Sequence, residues 1–157
     1  MSKVMQALGL MSGTSLDGVD VALIETDGDT VGAFGPTGYR AYASGERDLL
    51  RQALADAVSL TDRNARPGAL AAAEQLVTRA HAEAVESFLQ TNGLSPSDID
   101  VVGFHGQTVL HRPEQQLTIQ IGDGVALAKA LGIQVAFDLR AADVAAGRLV
   151  QQEARVG

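Results

Sequence analysis

The chain has 157 residues, with 12 Lys and Arg against 19 Asp and Glu, and so a formal net charge of −7. This acidic balance argues against nucleic acid or an anionic membrane as partner, because no basic surplus can neutralise phosphates. The length predicts one domain, the hydrophobic fraction of 46% argues against disorder, and the absence of cysteine excludes disulfides, thiol catalysis and cysteine metal sites.

The chain shows no sign of a targeting or membrane segment. No apolar run approaches the ~20 residues that a membrane span requires. Residues 1–18 contain one Lys, and their apolar stretch from Val4 to Met11 is short and interrupted by Gln6, which matches a secretion signal poorly. The sequence therefore predicts a cytoplasmic protein.

The first third of the chain predicts strands. Residues 7–11 are apolar and residues 19–26 are largely apolar, and the Ser, Gly, Thr and Asp residues between them are typical of a turn. We therefore expect the loop Gly13 to Asp20 to join two antiparallel strands. A second turn at 27–29 ends the hairpin, and residues 37–44 predict a third strand.

Helices and strands alternate in the rest of the chain. Residues 46–58 and 70–92 have apolar residues at the spacing of amphipathic helices, and Gly93 occupies a C-terminal cap position. Residues 100–104 are typical of a buried central strand. Further predictions are strands at 117–121 and 134–137 and a helix at 123–131. This order implies a mixed or parallel α/β sheet.

The turn cluster at residues 13–20 is the first candidate site. Its glycines allow a ligand to approach the backbone, and successive N–H groups in such a turn form a concave anion site. Asp17 and Asp20 could hold a divalent metal indirectly or orient a substrate hydroxyl. The pattern is neither a P-loop nor a dinucleotide fingerprint. An ordinary hairpin turn explains the same composition.

A second candidate site directly follows the predicted strand at 100–104. His105, Gln107 and Thr108 suit recognition of a molecule that bears hydroxyl and amide groups, at the strand end where α/β proteins bind ligands. A metal site of His105 and His111 is disfavoured because no third ligand has convincing spacing. Ordinary loop histidines remain the alternative.

Two further clusters lie at predicted strand ends. Asp123 begins the helix at 123–131 and is best explained as its N-cap. Asp138, Arg140 and Asp143 follow the last predicted strand. Arg140 could pair with an anionic group through two hydrogen bonds, and a structural Arg–Asp pair is the alternative.

Taken together, these segments resemble the anhydro-N-acetylmuramic acid kinase family. The resemblance covers about residues 6–147 and rests on four motifs in the family's order. They are Gly-Leu-Met-Ser-Gly-Thr-Ser-Leu-Asp-Gly-Val-Asp at 9–20, His-Gly-Gln-Thr at 105–108 with His111 and Pro113, Thr-Ile-Gln-Ile-Gly at 118–122, and Asp-Leu-Arg at 138–140 with Asp-Val-Ala-Ala-Gly at 143–147.

The resemblance implies the N-terminal lobe of an actin-like ATPase fold, the fold of sugar kinases, actin and heat-shock chaperones. It implies an ATP- and Mg²⁺-dependent kinase that converts 1,6-anhydro-N-acetylmuramic acid and water to N-acetylmuramic acid 6-phosphate in peptidoglycan recycling. A homodimer is implied for intact members. The ATP phosphates are assigned to Gly13, Thr14, Ser15, Leu16, Asp17, Gly18, Val19 and Asp20. The sugar is assigned to His105, Gln107, Asp138 and Arg140.

The resemblance ends after Gly147. Residues 148–157 depart from the family pattern, which predicts a kinase lobe at 1–147 followed by an unrelated tail from a frameshift or premature stop. The family's Asp-Thr-Gly-Pro-Gly-Asn segment, whose Asp is the catalytic base, does not occur in this sequence. No catalytic residue is therefore assigned here. A catalytically inactive fragment and a nucleotide-binding module from another actin-like branch remain alternative interpretations.

Overall fold

The computed structural model describes residues 4–137 as one seven-stranded sheet with three α-helices. The strands are β1 (Met5–Ser12), β2 (Gly18–Thr26), β3 (Val31–Ala41), β4 (Val101–Phe104), β5 (Gln107–Arg112), β6 (Leu117–Ile121) and β7 (Val135–Phe137). The helices are α1 (Ser44–Ala57), α2 (Leu70–Thr91) and α3 (Gly124–Leu131). The predicted α/β class is confirmed.

Five strands form the main sheet in the order β3-β2-β1-β4-β7. β1, β2 and β3 form an antiparallel meander, whereas β4 pairs parallel with β1 and β7 pairs parallel with β4. β5 and β6 form an antiparallel hairpin that joins the sheet where Gln107 pairs with Ser12 at the end of β1. The carboxyl ends of β1, β4 and β7 therefore lie at one edge of the sheet.

The local predictions agree closely with the structure where side-chain spacing decides the element. The helix expected at 70–92 is α2, and the expected β1–β2 hairpin is confirmed. Gly93 has a φ of 64°, as a helix-ending glycine does. The third strand was predicted wrongly at both ends, because β3 begins at Val31 and ends at Ala41. β5 was not predicted.

The three helices pack on one face of the main sheet. Leu8 and Leu10 of β1 and Val19 and Val21 of β2 are buried on this face, and their strand neighbours point the opposite way. α2 supplies the largest share of the apolar residues in the core and contacts β2, β3, β6 and both other helices. In the described part of the chain, no helix is long and apolar enough to cross a membrane.

Candidate functional site

The loop between β1 and β2 is short and solvent-accessible. Gly13, Thr14, Ser15 and Asp17 are exposed, and Leu16 N–H donates to the Gly13 carbonyl oxygen at 3.2 Å to close a tight turn. The last three residues assigned to the phosphates, 18–20, belong to β2 rather than to the loop. The loop thus presents two hydroxyl side chains and a glycine backbone at the sheet edge.

Leu16 and Gly18 fix the loop to the protein core. Leu16 adopts a left-handed conformation with φ 59°, which costs energy for a non-glycine residue, yet its side chain is only 4% exposed. A Cβ at Gly18 would lie 2.4 Å from the Arg40 carbonyl oxygen and 2.6 Å from the Tyr39 ring. Leu16 and the buried Val19 can therefore reach a ligand through their backbone only.

Gln107 connects the second motif to this loop. Its side chain is 1% exposed. Ser12 Oγ donates to its Oε1, and its Nε2 donates to the carbonyl oxygens of Gly13 and Thr108, each at 3.3 Å. Gln107 therefore holds the start of the loop in place. The sugar contact predicted for Gln107 would have to compete with these bonds.

Tyr42 holds the other end of the loop, and the sequence motifs gave no sign of it. Its backbone N–H donates to the Asp17 carbonyl oxygen at 2.8 Å, and its hydroxyl lies 3.4 Å from Ser12 Oγ. Burial is the main cause that raises the pKa of the Tyr42 hydroxyl, so this group stays protonated. The Arg40 guanidinium lies 5.5 Å from the centre of the Tyr42 ring.

Arg40 supports Tyr42 by joining β3 to two helices. Its guanidinium makes a two-pronged ion pair with Glu46 of α1 at 2.7 and 3.0 Å and bonds Glu83 of α2 at 2.9 and 3.1 Å. The hydrogen bond to Glu46 is the main cause that raises the pKa of Arg40 and lowers that of Glu46. The support of the loop is therefore connected through Arg40 to both α1 and α2.

His105 lies in the turn between β4 and β5. The next residue, Gly106, has a φ of 74°, and a Cβ there would lie 2.3 Å from the Ile121 carbonyl oxygen. The turn therefore requires glycine, and it leaves His105 exposed at the same sheet edge as the β1–β2 loop. Asp138 and Arg140, the other two predicted sugar ligands, lie outside the described residues.

The turn between β6 and α3 also contains glycine and aspartate, but its backbone donors are used differently. Gly122 N–H donates to Glu74 Oε2 at 3.0 Å, and Asp123 N–H donates to Thr78 Oγ1 at 2.9 Å, both from α2. Asp123 Oδ1 in turn accepts from Ala126 N–H at 3.0 Å, which confirms the predicted N-cap. These backbone donors are already occupied and do not form an anion site.

His81 of α2 is a buried polar side chain that packs behind Phe104, the last residue of β4. It is fully buried on α2, its Nδ1 lies 2.7 Å from the Val77 carbonyl oxygen, and it packs edge-on against Phe104 at 4.8 Å. Its Nε2 has no hydrogen-bond partner in the described part of the chain. Burial lowers the pKa of His81 to about 4, so the ring is neutral at physiological pH.

A metal site made by protein side chains alone is not found between residues 4 and 137, where no three His, Asp or Glu side chains cluster. The candidate site therefore consists of the β1–β2 loop, with its glycine and its two exposed hydroxyl side chains, beside exposed His105. Oriented donors of this kind stabilise phosphate oxygens. The β1–β2 loop is therefore the candidate anion site among the described residues.

The model of the family described as "Anhydro-N-acetylmuramic acid kinase" matches residues 5–151. The chain is 69% identical over 144 residues to the anhydro-N-acetylmuramic acid kinase of Rhodopseudomonas palustris (strain ATCC BAA-98 / CGA009), a match that spans 92% of this chain and 39% of the relative. The anhydro-N-acetylmuramic acid kinase of Nitrobacter winogradskyi is 67% identical over 144 residues, which again span 92% of this chain and 39% of the relative. The one from Methylobacterium nodulans is 62% identical over 153 residues, 91% of this chain and 41% of the relative.

The fold and the site thus define a lobe of the sugar kinase and actin-like ATPase class. The chain belongs to the anhydro-N-acetylmuramic acid kinase family, as the resemblance implied. It spans about two fifths of the length of the curated relatives that it matches. The family match also extends to residue 151, four residues beyond the predicted end of the lobe at Gly147.

Proposed function

We propose that this chain supplies the phosphate-binding lobe of an ATP-dependent kinase. The kinase converts 1,6-anhydro-N-acetylmuramic acid and water to N-acetylmuramic acid 6-phosphate in the recycling of peptidoglycan. The observation that carries the proposal is the exposed loop at Gly13 to Asp17. Gln107 holds one end of this loop and Tyr42 holds the other. The chain that carries the loop belongs to a family of kinases.

The loop binds the ATP phosphates through its backbone N–H groups and the hydroxyls of Thr14 and Ser15. Its support fixes these donors before the ligand arrives, which lowers the free-energy cost of orienting them during the reaction. Mg²⁺ bound with ATP neutralises the charge of the transferring phosphate. Mg²⁺ binds mainly through phosphates and water with one or two carboxylates, and Asp17 of the loop and Asp20 of β2 are the carboxylates proposed for this role.

The sugar contacts the same edge of the sheet. His105 is exposed there and has the donor and acceptor atoms that a sugar hydroxyl or acetamido group requires. Asp138 and Arg140 complete the proposed sugar site, directly after β7. Gln107 contributes through the loop that it holds. A cytoplasmic location and a homodimer of the intact protein remain part of the proposal.

Phosphate binding is tested on the 157-residue chain by titrating it with Mg²⁺ and ATP and following the amide resonances by NMR. We expect the Gly13–Asp17 amides to shift while the Gly122 and Asp123 amides do not, because the latter are bonded to α2. Shifts confined to Gly122 and Asp123, or no shifts at saturating ATP, would refute the assignment.

Catalysis requires more than this chain. General-base catalysis contributes roughly 10²- to 10⁴-fold, and the resemblance assigns the base to a segment that this sequence lacks. We therefore expect the chain alone to release ADP, with Mg²⁺ and the anhydro sugar present, far more slowly than ~1 s⁻¹, the low end of ordinary kinase rates. Turnover near that rate in a coupled ADP assay would show that the catalytic residues are misassigned.

A further inference from the structure

One buried side chain connects the two proposed ligand sites. Gln107 begins β5, two residues after His105, and its side chain contacts the β1–β2 loop. Its Nε2 group has two N–H donors, which bond the carbonyl oxygens of Gly13 and Thr108, each at 3.3 Å. The phosphate loop and the turn that carries His105 therefore share one amide group, and both of its donors are in use.

The orientation of this amide is fixed by its neighbours. Ser12 Oγ donates to Gln107 Oε1. Because a hydroxyl carries a single hydrogen, the Tyr42 hydroxyl is the donor in its 3.4 Å contact with Ser12 Oγ. Turning the amide over would place Oε1 against the Gly13 carbonyl oxygen, two acceptors with no hydrogen between them. The hydrogen bonds therefore run in one direction, from the Tyr42 hydroxyl to the Gly13 carbonyl oxygen.

The turn that carries His105 has little freedom to absorb a shift of Gln107. A Cβ at Gly106 would lie 2.3 Å from the Ile121 carbonyl oxygen, so the backbone of the turn already packs closely against β6. On the other side, Ser12 and Gln107 are the paired residues where β1 meets β5. A displacement of the loop is therefore passed through Gln107 to the backbone next to His105.

Separating the loop from the turn would leave buried polar groups without partners. Gln107 is only 1% exposed, so water cannot replace a hydrogen bond that its side chain loses. Gly13 and His105 are exposed, so a ligand can reach both ends of the link. A ligand that immobilises one end therefore removes part of the freedom that a second ligand would otherwise have to remove.

We propose that Ser12 and Gln107 make the binding of ATP and the binding of the anhydro sugar mutually favourable within this lobe. Phosphates at the β1–β2 loop immobilise the Gly13 carbonyl group, and through Gln107 they hold the turn in which His105 contacts the sugar. The same link acts in the opposite direction, because the coupling of two ligands is reciprocal. The inference rests on the proposed function, from which it takes both ligand assignments.

The coupling is measured by NMR titration of the 157-residue chain. Its affinity for Mg·ATP is determined without and with saturating 1,6-anhydro-N-acetylmuramic acid, and its affinity for the sugar without and with saturating Mg·ATP. We expect each ligand to tighten the other about fivefold, at the low end of typical coupling, and by the same factor in both directions. This factor is a ratio of affinities, so a general loss of affinity for one ligand does not change it.

Two variants break the link in different ways. Ser12→Ala removes the hydroxyl that orients the amide, and Gln107→Glu keeps the size of the side chain but replaces the donor to Gly13 with an acceptor. Both should lower the coupling factor to about one, whereas Ser12→Thr retains the hydroxyl and should keep it. The matched controls are Ser44→Ala and Gln115→Glu, the same changes at exposed positions outside the link, and both should keep the coupling.

The other outcomes overturn the inference. A coupling factor of about one in the unsubstituted chain, with both ligands bound, would exclude the link and leave the proposed function intact. Coupling that persists in Ser12→Ala and Gln107→Glu would assign it to direct contact between the ligands. If Gln107→Glu does not fold, Ser12→Ala decides alone. Loss of coupling in the controls would exclude a specific role of these two residues. A chain without Mg·ATP shifts would refute the proposed function, and this inference with it.

Discussion

Two turns that contain glycine and aspartate differ in how their backbone donors are used. The β1–β2 loop, Gly13–Asp17, and the β6–α3 turn, Gly122–Gly124, both combine glycine with Asp at the end of a strand. In the first, the exposed residues face solvent while Gln107 and Tyr42 hold the ends. In the second, Glu74 and Thr78 of α2 already accept the backbone N–H groups.

The difference supports the phosphate site proposed at the β1–β2 loop, because a glycine-rich turn can bind an anion only where its backbone donors are unused. α2 passes beside the β6–α3 turn and supplies acceptors to it, whereas the β1–β2 loop is supported through its carbonyl groups. The contacts of Gln107 and Tyr42 are to the carbonyl oxygens of Gly13 and Asp17. Support of this kind uses none of the loop's N–H groups. Of these groups, Leu16 N–H bonds the Gly13 carbonyl oxygen within the loop.

The largest effect should come from adding a side chain where the β1–β2 loop meets β2. Gly18→Val would place carbon atoms about where the Arg40 carbonyl oxygen and the Tyr39 ring now lie. We expect the free energy of unfolding to fall by more than about 3 kcal/mol, as urea denaturation would measure. Gly13→Ala is the control, because a Cβ at Gly13 meets nothing within 4 Å. Equal stability of the two variants would contradict the close packing at Gly18.

The β6–α3 turn should be sensitive to removal of its acceptor on α2. Glu74→Ala removes the partner of Gly122 N–H and of Arg66 Nε, which bonds Glu74 at 2.9 Å. Because both bonds involve a charged group, we expect a loss of about 2 kcal/mol in urea unfolding and no change in ATP affinity. Glu86→Ala, an exposed residue of the same helix, should cost little. Weaker ATP binding by Glu74→Ala would mean that this turn also contacts the nucleotide.

Acid should weaken the packing of α2, because His81 is buried in the middle of this helix. His81 has a pKa of about 4 when folded and about 6.5 when unfolded, so the unfolded state binds more protons between these values. Stability is therefore complete above pH 6.5 and falls as the pH drops towards 4, by about 2 kcal/mol between pH 7 and pH 5. Urea unfolding across this range should show the loss.

The matched variant is His81→Leu, which removes the titrating ring and should flatten the pH dependence above pH 5. The lowered pKa of Glu46 also makes stability fall with pH, but only below the ordinary glutamate pKa of 4.5. The protection factors of the Gly122 and Asp123 amides against hydrogen exchange should fall between pH 7 and pH 5, and by more than those of the β1–β2 strand amides. An unchanged slope in His81→Leu would assign the acid effect to other groups.

The smallest effect on stability should come from the exposed hydroxyls. Thr14→Ala and Ser15→Ala remove side chains that have no role in packing, so the free energy of unfolding should change by less than about 0.5 kcal/mol. Each should weaken ATP binding about fivefold, which corresponds to the loss of one hydrogen bond of about 1 kcal/mol. Unchanged affinity in both, measured by the NMR titration, would leave the loop without a side-chain role.

The sequence alone predicted the elements that depend on local spacing. Apolar residues at helical spacing define α2 within one residue, and Asp123 was correctly interpreted as an N-cap. The predicted third strand began six residues too late, because Gly32, Gly35 and Pro36 are poor strand residues. Pairing with β2 overrides that preference in the folded chain. β5 was missed because its polar start, Gln107, is buried only through its partners in β1 and the loop.

Four ordered motifs were enough to identify the family, because each motif is a continuous run of residues that can be read from the sequence without the fold. They could not separate a residue that touches a ligand from one that positions it, since that distinction depends on burial. Gln107 was predicted as a sugar ligand and lies in the protein interior, whereas Tyr42 was not singled out and holds the loop. Tertiary structure decided which donors stay available, because hydrogen-bond partners such as Glu74 and Gly122 lie 48 residues apart and meet only in the folded chain.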